Sequence, residues 1–599
     1  MPKVNHYDKL LWKECAISRN IIASHKTNNC NFFTIDQFAC VDNLYGDQKN
    51  QIMPKQILKV DIMNYGNGDL DAVIVGAGFS GLYQLYCLRE KLKLRVKVLE
   101  AGGGVGGTWY WNRYPGARCD SESHTYCYYF DKLLLEEWSW SERYPGQAEI
   151  LSYLNFCARK LNLEKDIHFK ERVLESEWDS DARLWNVKTQ SGKTFRARFL
   201  ITAVGCLSST NMPNIDGLAD FEGEVYHTGQ WPHEKVEFDK KTVVIIGTGS
   251  TGIQAIPEIA RQAKKLYVLQ RTPNYSVPAR NGPLSKDFHS AFIGEIDTWR
   301  SKMLKSRHGH PWTAPDRQVR KTAPVKRQKI MEEAWERGGL GFRESFDDVL
   351  LDEESNKIMS EFIRQKIMDT IDDPETAQKL LPMDHPFGTK RPPIDTNYFE
   401  TFNCDHVHLI DVRENPISSI FTNGVTLSNN TQIRANMIVF ATGFDAMTGA
   451  LQKMNLKGRG GLKLEDAWYA GPRTFLGLAV PEFPNMFTIT GPGSPSVLTN
   501  MPRAIEQHVD WITKLLSHMN QCEYVEVEAS HAAATEWTQH VTDVANKTLL
   551  PKANHSWYLG ANVPGKPRVF MPYAFGLNNY RDHCDSVAAC GYTDFLMTK

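Results

Sequence analysis

Residues 72–100 read AVIVGAGFSGLYQLYCLREKLKLRVKVLE, and this stretch decides the fold. The apolar run from Ala72 to Val75 predicts a buried strand, and the glycines that follow predict a tight turn into a helix from about Gly78 to Lys91. A second strand is predicted from Arg95 to Leu99, ending at Glu100. A strand, a helix and a strand in this order form a βαβ unit of a parallel sheet.

The glycine turn, Gly76-Ala77-Gly78-Phe79-Ser80-Gly81, has the spacing of a dinucleotide-binding loop. The first glycine makes the turn, the second lets a pyrophosphate approach the backbone, and the third lets helix and strand pack closely. Glu100 follows about 20 residues on, where an acid binds a ribose hydroxyl. We therefore predict a bound dinucleotide here, in preference to a glycine turn without a ligand.

A second unit of the same kind begins at Thr242. A strand from Val243 to Ile246 leads into Gly247-Thr248-Gly249-Ser250-Thr251-Gly252, a helix, and a strand from Leu266 to Leu269. The second strand ends in Gln270-Arg271-Thr272, without an acid. Because an arginine there suits a 2′-phosphate, we predict NADPH in preference to NADH. The alternative for Arg271 is a solvated surface charge.

Two dinucleotide units in one chain indicate electron transfer from a nicotinamide to a flavin. Their order predicts FAD in the first unit and NADPH in the second, with the chain returning to the first afterwards. Two apolar runs that end in small-residue turns, 201–205 and 440–445, are predicted to carry the crossings. Further strands are predicted at 407–410, 437–440 and 486–489, and the charged amphipathic residues 361–368 predict helix.

The predicted fold is therefore α/β, with two Rossmann-like dinucleotide-binding domains (FAD and NADP), the second inserted in the first, and a helical insertion. The predicted boundaries are an N-terminal extension at 1–65, the FAD-binding domain at 66–205, the NADP-binding domain at 206–284, the helical insertion at 285–385, the second part of the NADP-binding domain at 386–435, and the second part of the FAD-binding domain with the C-terminal segment at 436–599.

Composition excludes several classes of partner. The 599 residues carry a formal net charge of −1, which gives no indication of a nucleic acid or an anionic membrane as partner. No apolar run is long enough to span a membrane, and the first residues lack the apolar core of a signal peptide. The twelve cysteines form no CxxC pair and no zinc spacing. We predict reduced thiols, a cytoplasmic location and no metal; the sequence contains no signal for an oligomeric state.

Two motifs carry a family resemblance. Residues 221–232, FEGEVYHTGQWP, match FxGxxxHxxxWP, and residues 106–120, GGTWYWNRYPGARCD, match GGxWxxxxYPGxxxD. Together with the two glycine turns in this order, they resemble the Baeyer–Villiger monooxygenases from about residue 70 to the C-terminus. Three later stretches are also similar to the family: 387–391 to a segment with a lysine and an active-site arginine, 491–501 to a pocket loop, and 556–566 to a stretch whose tryptophan touches NADP.

The resemblance implies an FAD- and NADPH-dependent enzyme. Such an enzyme inserts one oxygen atom from O2 next to a ketone carbonyl, through a C4a-peroxyflavin, and gives an ester or lactone. Arg391 would stabilise the anionic peroxide and the oxyanion of the adduct, and Asp120 would pair with Arg391. Lys390 and Arg271 would hold the 2′-phosphate. His227 would have a conformational role between the domains.

The residues implied in FAD binding are Gly76, Gly78, Phe79, Ser80, Gly81, Glu100, Gly107, Thr108, Trp109, Tyr110, Trp111, Asp120, Tyr126, Val173 and Met501. Those implied in NADP binding are Gly247, Thr248, Gly249, Ser250, Thr251, Gly252, Ile253, Gln254, Arg271, Thr272, Lys390, Arg391 and Trp557. The 221–232 motif is carried by Phe221, Gly223, His227 and Trp231. An aromatic-rich stretch is predicted to divide between core packing and a wall over the flavin ring: Tyr110, Trp111, Tyr114, Tyr126, Tyr128 and Tyr129.

Three alternatives stay open at this point. A flavin monooxygenase that oxidises nitrogen or sulfur shares both glycine turns, but does not usually combine the 221–232 motif with Arg391. A non-catalytic redox sensor would bind both dinucleotides and is disfavoured by Arg391 and Asp120. A disulfide reductase is disfavoured further, because Cys119 and Cys127 do not have CxxxxC spacing.

Overall fold

The computed structural model describes residues 69–312 and 315–599, so the predicted extension at 1–65 lies outside the described residues. The strands are β1 Leu70–Val75, β2 Val96–Glu100, β3 Ile167–Phe169, β4 Val173–Asp179, β5 Leu184–Thr189, β6 Thr194–Thr202, β7 Glu224–His227, β8 Thr242–Ile246, β9 Lys265–Gln270, β10 Val277–Pro278, β11 Ile394–Asp395, β12 Val407–Asp411, β13 Ile417–Phe421, β14 Gly424–Leu427, β15 Gln432–Arg434, β16 Met437–Phe440, β17 Leu456–Lys457, β18 Met486–Thr488, β19 Glu526–Ala529 and β20 Phe595–Thr598. The α-helices are α1 Phe79–Tyr86, α2 Thr108–Trp111, α3 Lys132–Glu136, α4 Gln147–Lys160, α5 Ser250–Ala260, α6 Lys286–Gly294, α7 Ile296–Lys305, α8 Pro324–Arg337, α9 Glu353–Thr370, α10 Pro374–Leu380, α11 Gly449–Gln452, α12 Leu464–Ala467, α13 Met501–Gln521, α14 His531–Asn546 and α15 Leu577–Ala589.

The first dinucleotide unit is built on an eight-stranded sheet in the order β17-β4-β5-β6-β1-β2-β3, with β18 also paired to β6. Strand β1 lies parallel to both β2 and β6, with Ala72 opposite Val96 and Phe199. Its side chains are fully buried from Ala72 to Ile74, because helices cover both faces of a parallel sheet. The predicted first strand, turn and helix are thus confirmed, although residues 87–91 continue α1 as a π-helical turn.

The second unit is a five-stranded parallel sheet in the order β12-β9-β8-β16-β7. All five strands lie between residues 224 and 440, whereas β17 and β18 return to the first sheet. The second unit is therefore inserted in the first, as predicted. One boundary is wrong: β16 was placed in the FAD-binding part, but it pairs with β7 and β8, so the second sheet extends through Phe440.

The two links between the units lie side by side, the first just after the predicted crossing at 201–205 and the second within the predicted crossing at 440–445. The backbone of Asn211 donates to the carbonyl of Gly443 at 2.9 Å, and Asp445 donates to the carbonyl of Ser209 at 2.8 Å. The chain thus leaves the first unit and returns to it through one antiparallel pair of segments.

The helical insertion packs in two directions. Phe292 of α6 and Met303 of α7 belong to the core of the first unit. Met331 of α8 and Ile363 of α9 belong to the core of the second unit. The predicted insertion at 285–385 therefore contains five α-helices, but the described residues between α7 and α8, 306–312 and 315–323, form no helix. The insertion is shared between the two units, because each helix buries its apolar face on the nearer core.

Candidate active site

The first glycine turn has the backbone geometry that a pyrophosphate needs. Gly76 has a φ of +104°, and a Cβ on it would lie 2.6 Å from the carbonyl oxygen of Ala203. A Cβ on Gly81 would lie 1.8 Å from the carbonyl oxygen of Gly76. No side chain caps the N-terminus of α1, so its first backbone amides remain available to an anion. The turn fits the dinucleotide that the sequence predicts.

Glu100 ends β2 directly beside this turn. One carboxylate oxygen accepts from the backbone amide of Ala77 at 2.7 Å, and the other accepts from Gly102 at 2.6 Å. Burial raises the pKa of Glu100, while these two amides oppose the rise. The carboxylate is therefore fixed in orientation, and its unused lone pairs fit the predicted contact with a ribose hydroxyl.

The second glycine turn repeats the geometry with one informative difference. Gly247 has a φ of +111°, and a Cβ on Gly252 would lie 2.2 Å from the carbonyl oxygen of Gly247. A Cβ on Gly249, by contrast, would meet no described protein atom within 4 Å. Since α5 also begins without a side-chain cap, the space over Gly249 is open toward free backbone amides. This is where a second pyrophosphate fits.

Two cations are predicted to bind the 2′-phosphate at this second unit. Arg271 comes directly after β9 and is exposed, whereas the side chain of Lys390 is only 16% exposed. Burial lowers the pKa of Lys390, Asp384 opposes that effect, and the positive charge of Arg271 lowers the pKa further. Two cations that repel each other are stabilised by an anion between them. The pair fits the predicted 2′-phosphate.

Arg391 and Asp120 form a bidentate ion pair across 271 residues of sequence. Nε and Nη2 of Arg391 donate to the two carboxylate oxygens of Asp120, each at 2.7 Å, and Nη1 donates to the carbonyl of Val497 at 2.9 Å. Burial alone would lower the pKa of the Arg391 guanidinium, but Asp120 raises it overall. The guanidinium is permanently charged and locked in one orientation.

A cavity of about 30 Å³ lies beside Arg391. Its other lining residues are His308, His310, Trp312, Leu340, Arg343, Pro392, Val497, Leu498, Thr499 and Tyr558. The resemblance implies the loop at 491–501 at the pocket and the segment at 556–566 at NADP; the contributions of 308–312, 340–343 and Tyr558 to the cavity are not implied by any motif. Residues 308–312 and 340–343 belong to the helical insertion. They are part of no recognisable motif, and the charged amphipathic pattern of the insertion predicts only helices.

Part of the aromatic stretch lies in the core, and part lies near the first glycine turn. Tyr128 and Tyr129 are fully buried and hydrogen-bonded to backbone carbonyls, which is core packing. Tyr126 accepts from Nε1 of Trp109 at 3.3 Å, and its ring meets that of Phe79 edge to face. Phe79 belongs to the first glycine turn, so this contact places Tyr126 and Trp109 beside the turn; their contact with a flavin stays a prediction.

Other aromatics of this stretch have different contacts. The hydroxyl of Tyr110 accepts from the backbone amide of Gly103, so this ring covers the turn after Glu100. The hydroxyl of Tyr114 donates to the side chain of Gln254 on α5 at 2.8 Å. The 106–120 motif therefore contacts both dinucleotide units.

His227 lies at the junction of the two crossings. Its Nδ1 accepts from the amide of Gly229 at 3.0 Å, and Nε2 lies 3.3 Å from Oγ1 of Thr442, which itself donates to the carbonyl of Asn211. Nε2 therefore carries the proton and donates to Thr442. Burial lowers the pKa of His227, so the ring is neutral and links β7 to both crossings.

The remaining members of the 221–232 motif are structural. Phe221 and Trp231 are buried in apolar clusters. Gly223 is required by space, since a Cβ there would lie 2.4 Å from the carbonyl oxygen of Asn436.

Several other residues implied in cofactor binding also have clear positions. Thr248 donates from Oγ1 to the carbonyl of Thr272 at 3.1 Å, which joins the second turn to the end of β9. Ser250, Thr251, Ile253 and Gln254 form the first turns of α5, and Met501 begins α13. Gly107 and Thr108 lie at the start of α2, next to Trp111. Val173 packs in an apolar core cluster, and Trp557 packs in the cluster that contains Cys206 and Ala446.

Comparison with known proteins places this site in a family. The family model described as pyridine nucleotide-disulphide oxidoreductase matches residues 73–289, which include both glycine turns. A cyclohexanone 1,2-monooxygenase from an Acinetobacter species is 40% identical over 530 residues, covering 88% of this chain and 96% of the relative. A Baeyer–Villiger monooxygenase from Pseudooceanicola batsensis is 40% identical over 531 residues, with the same two coverages.

A solved structure agrees with these relatives. A crystal structure of OTEMO in complex with FAD and NADP has a TM-score of 0.85 and 38% identity, covering 88% of this chain and 99% of that one. Such identity over nearly the whole length of the relatives leaves no ambiguity of fold. The chain belongs to the Baeyer–Villiger monooxygenases.

Some further features concern the described residues only. The cysteines at 87, 119, 127, 157, 206, 404, 522, 584 and 590 are free thiols. Within residues 69–312 and 315–599, no three metal-ligating side chains converge. No helix in this part of the chain has the length and apolar character needed to cross a bilayer.

Proposed function

We propose that this protein uses FAD, NADPH and O2 to insert one oxygen atom next to the carbonyl of a small-molecule ketone, giving an ester or lactone. The observation that carries the proposal is the locked Arg391–Asp120 pair beside a cavity, in a chain of this family with two dinucleotide-binding turns. The free thiols of the described cysteines support a cytoplasmic location.

The chain's own residues supply electrostatics and positioning. When bound, the cofactors supply the hydride and the activated oxygen. Arg391 holds a fixed positive charge where negative charge develops on the reacting oxygens, and Asp120 keeps the guanidinium in that orientation. Leu340, Val497 and Leu498 give the cavity apolar walls that exclude water and strengthen this charge interaction.

Cofactor assignments follow from the two turns. The first turn would hold FAD: Glu100 would bind its ribose, the N-terminus of α1 its phosphates, and Trp109 and Tyr126 would line its flavin. The second turn would hold NADPH, and Arg271 and Lys390 would bind its 2′-phosphate. His227 is a positioning residue that acts through the crossings.

Arg271→Ala is expected to raise the KM for NADPH at least tenfold and to leave the KM for NADH almost unchanged. One charge-assisted contact to the 2′-phosphate is lost, which corresponds to about 1.4 kcal/mol. Steady-state kinetics with both coenzymes measure the effect, with Lys264→Ala as control, because Lys264 is an exposed cation just before β9, at the opposite end from Arg271. If the unaltered protein used the two coenzymes equally, the assignment would be wrong.

The proposed activity is tested with the purified protein, which is expected to be yellow and to release its flavin on acid precipitation. It is incubated with NADPH, isotopically labelled oxygen gas and a panel of linear, cyclic, aryl and steroid ketones. Gas chromatography with mass detection should find an ester or lactone that carries one labelled atom.

The same assay separates the alternatives. A thioether and an aromatic amine are included in the panel, and oxygen transfer to these alone would identify an enzyme that oxidises sulfur or nitrogen. Slow NADPH oxidation without any oxygenated product would identify a redox sensor. Either result would contradict the proposed function.

A further inference from the structure

The segment 308–312 places two histidines with different surroundings beside Arg391. His308 is fully engaged: Nδ1 lies 3.0 Å from the carbonyl of Leu498, and Nε2 lies 3.4 Å from the carboxylate of Glu344. Both nitrogens of His308 therefore have partners within the protein. His310 does not.

His310 is almost completely buried, at 3% exposure, yet its Nδ1 is buried without a hydrogen-bond partner among the described residues. Its ring stacks flat on Trp312, with 4.4 Å between centroids and an interplanar angle of 5°. The stacking fixes the plane of the ring but gives Nδ1 no hydrogen-bond partner. A buried polar group without a partner costs about 1–3 kcal/mol, so a ligand in the cavity that hydrogen-bonds this imidazole is stabilised.

The charges around the cavity restrict what that partner can be. Burial, and then the charge of Arg391, lower the pKa of His310 far below its usual range, so the ring is neutral. Asp120 pairs with Arg391, and Glu344 pairs with Arg343 at 3.0 Å, so both cations of the lining already have counter-ions. A neutral imidazole donates at one nitrogen and accepts at the other, which suits a hydroxyl or a second carbonyl rather than a carboxylate.

We propose that His310 is a specificity-determining residue that hydrogen-bonds a second oxygen function of the substrate. The inference rests on the proposed function: the ketone carbonyl lies at Arg391, and a hydroxyl or second carbonyl a few bonds away lies at His310. The preferred substrates are then hydroxyketones and diketones of small size. An unsubstituted alkyl ketone leaves the imidazole without a partner and is turned over less efficiently.

The test compares 4-hydroxycyclohexanone with 4-methylcyclohexanone, which have almost the same shape. In the unaltered protein, kcat/KM should be higher for the hydroxyketone. His310→Phe keeps a ring that can stack on Trp312 but removes both nitrogens, and it should lower the ratio of the two kcat/KM values by about tenfold, the value of one buried hydrogen bond. His310→Gln, with an amide near the position of Nε2, should restore most of the ratio.

Controls keep the outcome interpretable. His531→Phe removes an imidazole whose side chain is 63% exposed and should leave the ratio unchanged. Flavin content and the rate of flavin reduction by NADPH should be unaffected in His310→Phe. A ratio in this variant equal to that of the unaltered protein would overturn the proposal.

Two further outcomes are decisive. An equal fall for both ketones together with a raised KM for NADPH would also overturn it, since His310 would then serve the cofactor. The unaltered protein alone provides a test that needs no variant: equal use of the two ketones, or preference for the methyl ketone, contradicts the inference while leaving the proposed function intact. Failure to convert any ketone would instead overturn the proposed function.

Discussion

Arg391→Ala is expected to abolish detectable ester formation. The side chain supplies the fixed charge of the cavity, and loss of one such electrostatic group typically lowers the rate by ~10²–10³. The variant also leaves Asp120 without its counter-ion, so an unpaired carboxylate would stand where negative charge must develop. Reduction of the flavin by NADPH should persist in part, because hydride transfer does not create the same charge. NADPH consumption should then yield hydrogen peroxide instead of product.

The measurement is ester yield and hydrogen peroxide yield per NADPH consumed, on whichever ketone the unaltered protein accepts. Asp120→Ala should show a weaker defect, since it keeps the charge and removes its orientation. Arg459→Ala is the matched control, because Arg459 also pairs with carboxylates, those of Glu526 and Glu528, in a different part of the fold. Ester formation by Arg391→Ala at nearly the original rate would refute the role of Arg391.

Gly252→Ala and Gly249→Ala should separate packing from ligand binding within one turn. A Cβ on Gly252 lies 2.2 Å from the backbone oxygen of Gly247, so the turn must shift and the folded state should lose about 1–3 kcal/mol. Displacing the turn also misplaces the nicotinamide, and an error of about 1 Å can cost ~10²-fold in rate. We expect a lower Tm and a nearly complete loss of NADPH-dependent flavin reduction.

Gly249→Ala should behave differently. Its Cβ meets no described protein atom within 4 Å, and the φ of −79° is accessible to alanine. The Tm should therefore stay unchanged, while the KM for NADPH rises at least tenfold, because the methyl group occupies the space into which the pyrophosphate fits. Thermal unfolding and stopped-flow reduction measure the two effects. Normal NADPH kinetics in Gly249→Ala would show that the phosphates bind elsewhere.

The sequence by itself determined the two dinucleotide units. Each unit is encoded by residues close together in the chain. These are an apolar strand, glycines at positions where a Cβ would clash with a backbone oxygen, and a helix that follows directly. The structure has β1 and β8 where the patterns predict them, to within two residues at each end. The order of the units along the chain was equally readable, since an acid, Glu100, follows the first unit and an arginine, Arg271, follows the second.

The pairing of Arg391 with Asp120 was available from the sequence only through the family resemblance. The two residues are 271 positions apart, and no local pattern joins them. The tertiary structure alone decided the bidentate geometry and the third hydrogen bond to Val497. It also decided that β16 belongs to the second sheet, because the identity of a strand's neighbours depends on long-range packing and not on the strand's own residues.

Only the tertiary structure brought His308, His310 and Arg343 to the cavity. They lie in the helical insertion. Its charged residues give an amphipathic pattern that predicts helices, but this pattern does not predict which residues those helices contact. Local patterns encode backbone conformation, since conformation depends on residues a few positions apart. The lining of a cavity depends instead on long-range packing. Here α6 and α7 pack on the core of the first unit, while α8 and α9 pack on the core of the second.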